Sequence, residues 1–327
     1  MRARRVCRSG LAADVESLAV LAGLTMLQVA LLLLVGVALD SLLGEARRWH
    51  PLAGFGNLAA LIEGRLNQGG MRWARGVSAW ILAVIPISVL AFVVCAYAGM
   101  AAHALLLYFS VGLRSLRDHN LPIAQALDRG ELAQARLLTG RIVSRDTAHA
   151  NEADLAKAST ESLLENGNDA VFATLFWFIV GGGAGALVFR LANTLDAMWG
   201  YRSSRFLQFG CAAARIDDAL NFIPARLTAL SYVLLAQDRK TAWRCWRRQA
   251  PRWSSPNAGP VMASGAGALG VVLGGDAVYD GVLEQRPALG QGRAARGSDI
   301  VRAWVLVRTT TFMWLACACV AAGALHA

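Results

Sequence analysis

Residues 77–109, VSAWILAVIPISVLAFVVCAYAGMAAHALLLYF, contain no aspartate, glutamate, lysine or arginine. An uncharged run of this length is unstable in water and reads as membrane-embedded helix. It exceeds the roughly 20 residues that one upright crossing needs and falls short of two crossings. A tight helical hairpin broken near Pro86 or Gly99 accommodates it, and so does one long tilted helix.

Other apolar runs flank this one. Residues 18–43 are long enough to cross a bilayer, and residues 171–188 and 305–325 are similarly apolar. Arg2, Arg4, Arg5 and Arg8 precede the first run in the manner of a signal peptide. The run is long for one, however, and its nearest small-residue cleavage site is Gly36-Val37-Ala38. We read it as an anchoring helix. Composition agrees, because a chain that is 56% hydrophobic, 17% charged and has a mean hydropathy of +0.43 lies outside the range of ordinary soluble domains. The expected fold is all-α: a polytopic integral membrane protein with about four or five transmembrane helices plus amphipathic cytoplasmic helices. Residues 1–25 read as an N-terminal extension, expected to be disordered, and residues 26–327 as a single membrane domain.

The net charge of +10 comes almost wholly from arginine, since Lys157 and Lys240 are the only lysines. No zinc-finger spacing or RNP-like strand points to nucleic acid. Cytoplasmic loops facing anionic lipid explain the charge more simply. Residues 112–169 show helical apolar spacing with charges opposite, as amphipathic helices would. Residues 239–252, with Trp243, Trp246 and the adjoining Trp253, suit a helix in the headgroup region. The six cysteines lack the paired spacing of a metal or redox site and read as small buried hydrophobes. No pair among the five histidines has metal-ligand spacing, and His50 reads as structural.

The functional signal lies where ionisable groups enter this apolar chain. Residues 190–228, RLANTLDAMWGYRSSRFLQFGCAAARIDDALNFIPARLT, carry Asn193, Asp196, Arg215, Asp217, Asp218, Asn221 and Arg226. Near a bilayer such groups are costly unless they are paired or do chemistry. Arg190, Asn193 and Asp196 share one helix face, Asp217 and Asn221 form a second pair, and Arg215 with Asp218 reads as a helix ion pair. Upstream, residues 159–173, STESLLENGNDAVFA, set Glu161 and Glu165 one turn apart, followed by Asn166, Asn168 and Asp169. Glu165 and Asp169 abut an apolar span and are candidates for magnesium, which needs few carboxylates. Glu161 reads instead as part of a solvated helix end. Two prolines and a glycine exclude a regular helix from residues 254–260, SSPNAGP, whose hydroxyls, amide and backbone N–H groups are suited to a phosphate or substrate pocket. Gly265, Gly267 and Gly270 match G-x-G-x-x-G. Like the GGGAG at 181–185, they read as close helix packing rather than as a ligand site.

With these motifs assembled, the chain resembles the CobD/CbiB family of membrane-bound adenosylcobinamide-phosphate synthases. The likeness runs from about Met26 to Leu315. It covers LDSLLGEARRWHPLAGFG (39–56), VSRDT (143–147), ESLLENGNDAVFA (161–173), RLANTLDAMWGY (190–201), AARIDDALNFIPARLTAL (213–230) and SSPNAGPVMASGAGALGVVLGG (254–275). The resemblance implies a multi-pass protein of the inner membrane, its site facing the cytoplasm. It would join the propionate carboxylate of the corrinoid cobyric acid to aminopropanol or its O-phosphate. ATP and Mg2+ would act as substrate and activator, with no tightly bound prosthetic group. In that reading Glu165, Asp169, Asp196 and Asp217 are catalytic and hold the magnesium. Asn166, Arg190, Asn193, Tyr201, Asp218, Asn221, Arg226, Ser255, Asn257, Arg145 and Asp146 would bind substrate.

Three features depart from the family pattern. Gly44-Glu45-Ala46 stands where family members often have a proline third, Asp169-Ala170 where many have Asp-Gly, and residues 261–263 lack an acidic residue. The expected partners are the substrates and the lipid bilayer, with a homo-oligomer left open and nucleic acid excluded. A non-enzymatic membrane transporter or signalling paralogue is the rival reading. A transporter should set its polar groups at midplane on broken spans, whereas here they are expected between spans.

Overall fold

The computed structural model describes residues 22–45, 50–279 and 281–326. Residues 1–21, most of the extension expected to be disordered, lie outside the described residues. Among the described residues, four helical runs are long and apolar enough to cross a membrane: Met26–Leu43, and stretches within Arg72–Asp128, Glu152–Trp199 and Gly297–Leu325. The protein is a polytopic, predominantly α-helical membrane protein. Its chain divides into two units, each drawn from separated segments.

Unit 1 comprises residues 1–112, 173–219 and 313–327. Helix α1 (Met26–Leu43) starts later than the apolar run does, because Thr25 and Gln28 form a reciprocal capping box there. It stops at Gly44, whose φ of 67° no longer continues a helix. Helix α2 (Pro51–Leu66) opens with His50 as its cap and proline in its first turn. Helix α3 (Arg72–Ser110) spans the run of residues 77–109 as two helical segments that meet at a break, one of the two breakpoints expected from the sequence. The break sits at Gly99 (φ 60°, ψ −141°), while Pro86 stays within the helix. Helix α7 (Ala173–Trp199) breaks likewise at Gly181 and Gly182. A Cβ on Gly182 would lie 2.6 Å from the His103 ring. The GGGAG segment is therefore a packing site, as its small residues suggest. Ala79, Ala83 and Val84 of α3 share the unit's core with Leu187, Leu191 and Leu195 of α7.

Unit 2 comprises residues 113–172 and 220–312. Helices α4 (Leu113–Asp128), α5 (Leu132–Thr139) and α6 (Glu152–Gly167) form its first segment, and α6 passes into a π-helical turn at Asn168–Phe172. Helix α8 (Cys211–Leu235) begins in unit 1 and supplies this unit from Leu220 onward. Helix α10 (Ala258–Leu269) packs through small residues, Gly267 against Ala242 and Cys245 of α9 (Arg239–Gln249) and Gly265 against Leu164 of α6. Any larger side chain would separate these backbones.

Several details differ from the sequence expectation. Residues 258–260 do enter helix α10. Pro260 fits because the first turn leaves its N–H groups without helical acceptors anyway. The region after Gly270 holds five short strands, β1 (Val271–Gly274), β2 (Ala277–Tyr279), β3 (Val282–Glu284), β4 (Ala288–Gly290) and β5 (Arg293–Ala294). β1 pairs antiparallel with β4 and parallel with β5, and β2 with β3 makes a separate hairpin. Strands this short carry too little periodicity to be read from sequence. Helix α11 starts at Gly297, well before the apolar run at 305, because buried Asp299 accepts the Arg296 N–H and pairs with Arg293 and Arg302. Among the cysteines, Cys95 and Cys245 are buried as expected. Cys211 is half-buried, Cys317 and Cys319 are exposed, and all five are free. Cys7 lies outside the described residues.

Candidate functional site

Within unit 1, Arg190, Asn193 and Asp196 sit on the last turns of α7, and Arg215, Asp217 and Asp218 on the first turns of α8. The 190–199 portion continues the apolar run of α7 as helix, which corrects the expectation of a polar segment between spans. The three-residue spacing does gather them. Arg190 Nη1 donates to Asn193 Oδ1 at 3.3 Å, and Asn193 Nδ2 donates to Asp217 Oδ1 at 3.2 Å. Asp217 is buried at 7% exposure. Asp196 is near enough to Asp217 and Asp218 for their charges to oppose its own. Its carboxylate occupies the place a Gly200 Cβ would take, so the glycine that ends α7 makes room for the acid. Arg215 and Tyr201 are exposed.

Two contacts hold this end of unit 1 in place. Arg205 clamps Glu63 of α2 with two hydrogen bonds, of 3.0 and 2.6 Å, and holds its carboxyl below the usual range. His50 caps α2 through Nδ1, 3.3 Å from the Leu52 N–H. Burial lowers its pKa, Arg190 adds to that, and Glu45 opposes it. His50 therefore has a structural role as the cap of α2.

Unit 2 holds the remaining candidates. Asn166 Nδ2 donates to the Ser162 carbonyl and hydroxyl, at 3.0 and 3.1 Å. Asn168, which the sequence reading did not assign to the site, is a hub at 2% exposure. Its amide donates to Asn221 Oδ1 and Asp169 Oδ1, both at 2.9 Å, and its carbonyl accepts from the Thr228 hydroxyl at 2.9 Å. The π-helical turn aims Asn168 at α8; a signal for it existed in the ENGND run, where one extra polar residue falls on the apolar face. Glu165 is half-buried on α6.

Glu161 is corrected outright. It is 3% exposed, accepts the Gly274 N–H at 2.7 Å, and pairs with both Arg145 and Arg286, the latter at 3.5 Å. It belongs to no solvated helix end. Arg286 also donates to the Gly275 carbonyl and the Tyr279 hydroxyl, so this carboxylate ties β1 and β2 to α6. Arg145 and Asp146 open on a cavity of about 420 Å3 lined also by His149, Lys157, Val278 and Leu283. Asp146 accepts the Gly281 N–H at 2.8 Å. Ser255 Oγ accepts from the Asn257 and Ala258 N–H groups and starts α10, and Asn257 Oδ1 accepts from Arg226.

Among the described residues, no three His, Cys, Asp or Glu side chains are gathered to hold a metal ion. A cage for a resident metal is therefore not what these residues form. A magnesium ion carried on a triphosphate needs only one or two carboxylates.

A family model described as CobD/Cbib protein matches residues 33–307. A Stutzerimonas stutzeri (strain A1501) protein named Cobalamin biosynthesis protein CobD is 56% identical over 281 residues, covering 85% of this chain and 92% of its own length. Proteins of the same name from Chromobacterium violaceum and Mycobacterium tuberculosis (strain H37Rv) are 51% and 40% identical. They cover 91% and 84% of this chain, and 99% and 90% of their own lengths. No solved structure matches. With a family model over most of its length and relatives at this identity, the chain belongs to the CobD/CbiB family.

Proposed function

We propose that this protein acts in cobalamin biosynthesis as an amide-forming ligase. It would join a propionate carboxylate of adenosylcobyric acid to aminopropanol or its O-phosphate, with ATP consumed. The observation that carries this reading is the chain Arg190–Asn193–Asp217 beside Asp196, within a family whose relatives are named for cobalamin biosynthesis. A carboxylate resists amines because it has no leaving group. Attack of its oxygen on the γ-phosphorus of ATP expels ADP and leaves an acyl phosphate. The amine nitrogen then attacks the acyl carbon, loses a proton and expels phosphate. Magnesium bound with ATP neutralises phosphate charge, and Asp196 and Asp217 are the residues that would hold it. Arg190, oriented through Asn193, offsets anionic charge on substrate.

Helix α7 is broken at Gly181 and Gly182, so the polar residues at its end sit on a broken span. A transporter uses such a break as an ion site. Here His103 fills it, its Nδ1 lying 2.9 Å from the Gly183 N–H.

The test is direct. Purified protein in detergent, given ATP, Mg2+, adenosylcobyric acid and either amine, should form the amide and one ADP per product, read by mass spectrometry. Absence of product with both amines, together with failure to complement a strain blocked between cobyric acid and cobinamide, would overturn the proposal.

The site is further proposed to face the cytoplasm from the inner membrane, in keeping with the arginine-rich flank of α8. Arg202→Cys, in a background lacking the native cysteines, should be protected in intact cells from a membrane-impermeant thiol reagent. Labelling before lysis would reverse the orientation.

A further inference from the structure

The arginine- and tryptophan-rich segment at 239–252 and the SSPN segment meet in space. Within unit 2 they wall a cavity of about 490 Å3 lined by Arg226, Trp246, Arg247, Trp253, Ser254 and Pro256. That volume lies inside the range of small-molecule pockets, about 300–1,000 Å3.

Its charge is uncompensated. Arg226 Nη1 donates to the Phe222 carbonyl and Asn257 Oδ1, both at 2.8 Å, and Nη2 donates to the Pro256 carbonyl at 3.1 Å. The guanidinium also lies 3.5 Å from the Phe222 ring centroid. All these partners are neutral. They fix the group's direction without cancelling its charge, and burial pushes its pKa below the ordinary arginine value. Among the described residues, neither Arg226 nor Arg247 pairs with a carboxylate. Both guanidinium groups line the one cavity, and arginine suits phosphate by geometry as well as charge.

The aromatic wall is rigid. Arg286 sits 5.3 Å from the Trp253 ring centroid. Gly259 and Gly274 leave the room that Trp253 fills, since added Cβ atoms would lie 2.9 Å from its Cβ and 3.2 Å from its ring.

We propose that this cavity is a phosphate-binding pocket, holding a ligand's phosphate between Arg226 and Arg247 with the ligand's flat or apolar part against Trp246 and Pro256. A nucleotide and a lipid headgroup both present that chemistry. The choice of ATP as a probe rests on the reaction proposed above; the pocket does not.

Full-length protein in neutral detergent, without corrinoid or amine, is titrated calorimetrically with ATP, inorganic triphosphate and dioctanoyl phosphatidylglycerol. Arg247 is exposed, so Arg247→Gln should leave packing intact. It should weaken ATP and triphosphate about tenfold or more, the scale of one lost charge-assisted contact. Trp246→Leu should weaken ATP by roughly tenfold and spare triphosphate, because only the nucleotide has a ring to stack. Arg244→Gln removes the same charge from α9 outside the cavity and should bind as wild type does. Binding of phosphatidylglycerol alone, lost in Arg247→Gln, supports the pocket and assigns it to a lipid headgroup. No binding of any probe, or binding unchanged by Arg247→Gln, overturns it. Amide synthesis with probe binding indifferent to Arg247 would sink the pocket alone. Arg247-dependent binding without amide synthesis would sink the reaction alone.

Discussion

Asp217→Asn and Asp196→Asn are each expected to lower turnover about a hundredfold, the scale of removing one electrostatic stabiliser of a transition state. The amide keeps nearly the same volume, and Asn193 can turn its own amide to donate or accept, so the Asn193–Asp217 contact survives the change. What is lost is negative charge. Removing it relieves repulsion within the Asp196, Asp217 and Asp218 group, so the melting temperature in detergent should hold or rise slightly. Glu165→Gln and Asp169→Asn should show the same loss of turnover if those carboxylates also serve the reaction. Glu131→Gln, which removes an exposed carboxylate paired with Arg129, is the control and should match wild type. Full activity in Asp217→Asn and Asp196→Asn, measured as amide formed per enzyme, would remove both from the reaction. Failure of those variants to accumulate would make them structural partners instead.

Glu161→Ala should be the most damaging single change to stability in unit 2. It leaves Arg145 and Arg286, both nearly buried, without their shared counter-charge, and leaves the Gly274 N–H without an acceptor. Breaking a buried pair from one side costs about 3–5 kcal/mol, because the surviving charge stays buried. The expected result is a large drop in melting temperature and early protease cleavage in the strands at 271–284. Glu161→Gln should be damaging too, since shape without charge does not satisfy two guanidinium groups. Changing both arginines to methionine in the Glu161→Ala background should recover part of the loss. A Glu161→Ala protein that melts like wild type would show that the three-residue cluster contributes nothing to the fold.

These two carboxylates illustrate what could be read in advance. Asp217 stood out because it interrupts apolar sequence at helical spacing from Asn221 and beside Asp218, and such an interruption is visible without coordinates. Glu161 carried the same local pattern as Glu165, one turn away, and nothing in its neighbours marked it as buried. Its partners lie 16 and 125 residues distant, and the loop and strand that deliver them are too short to leave a periodic trace. Asn168 was missed for a related reason: a π-helical turn shifts the helical face by a fraction of a turn, and regular 3.6-residue counting points that side chain elsewhere.

The membrane class, the principal apolar helices and the positions where charge enters them were determined by the sequence itself. Each depends on composition or spacing within a single element, and hydrophobic burial is additive along such a stretch. Tertiary structure alone decided which polar groups face one another. It also decided how the 239–252 helix and the SSPN segment come to share one cavity. Those outcomes depend on close approach between distant backbones, at Gly182 against His103, Gly267 against Cys245 and Gly259 against Trp253. A glycine in a sequence shows only that something can come close there. Which chain segment does so is set when the whole molecule packs.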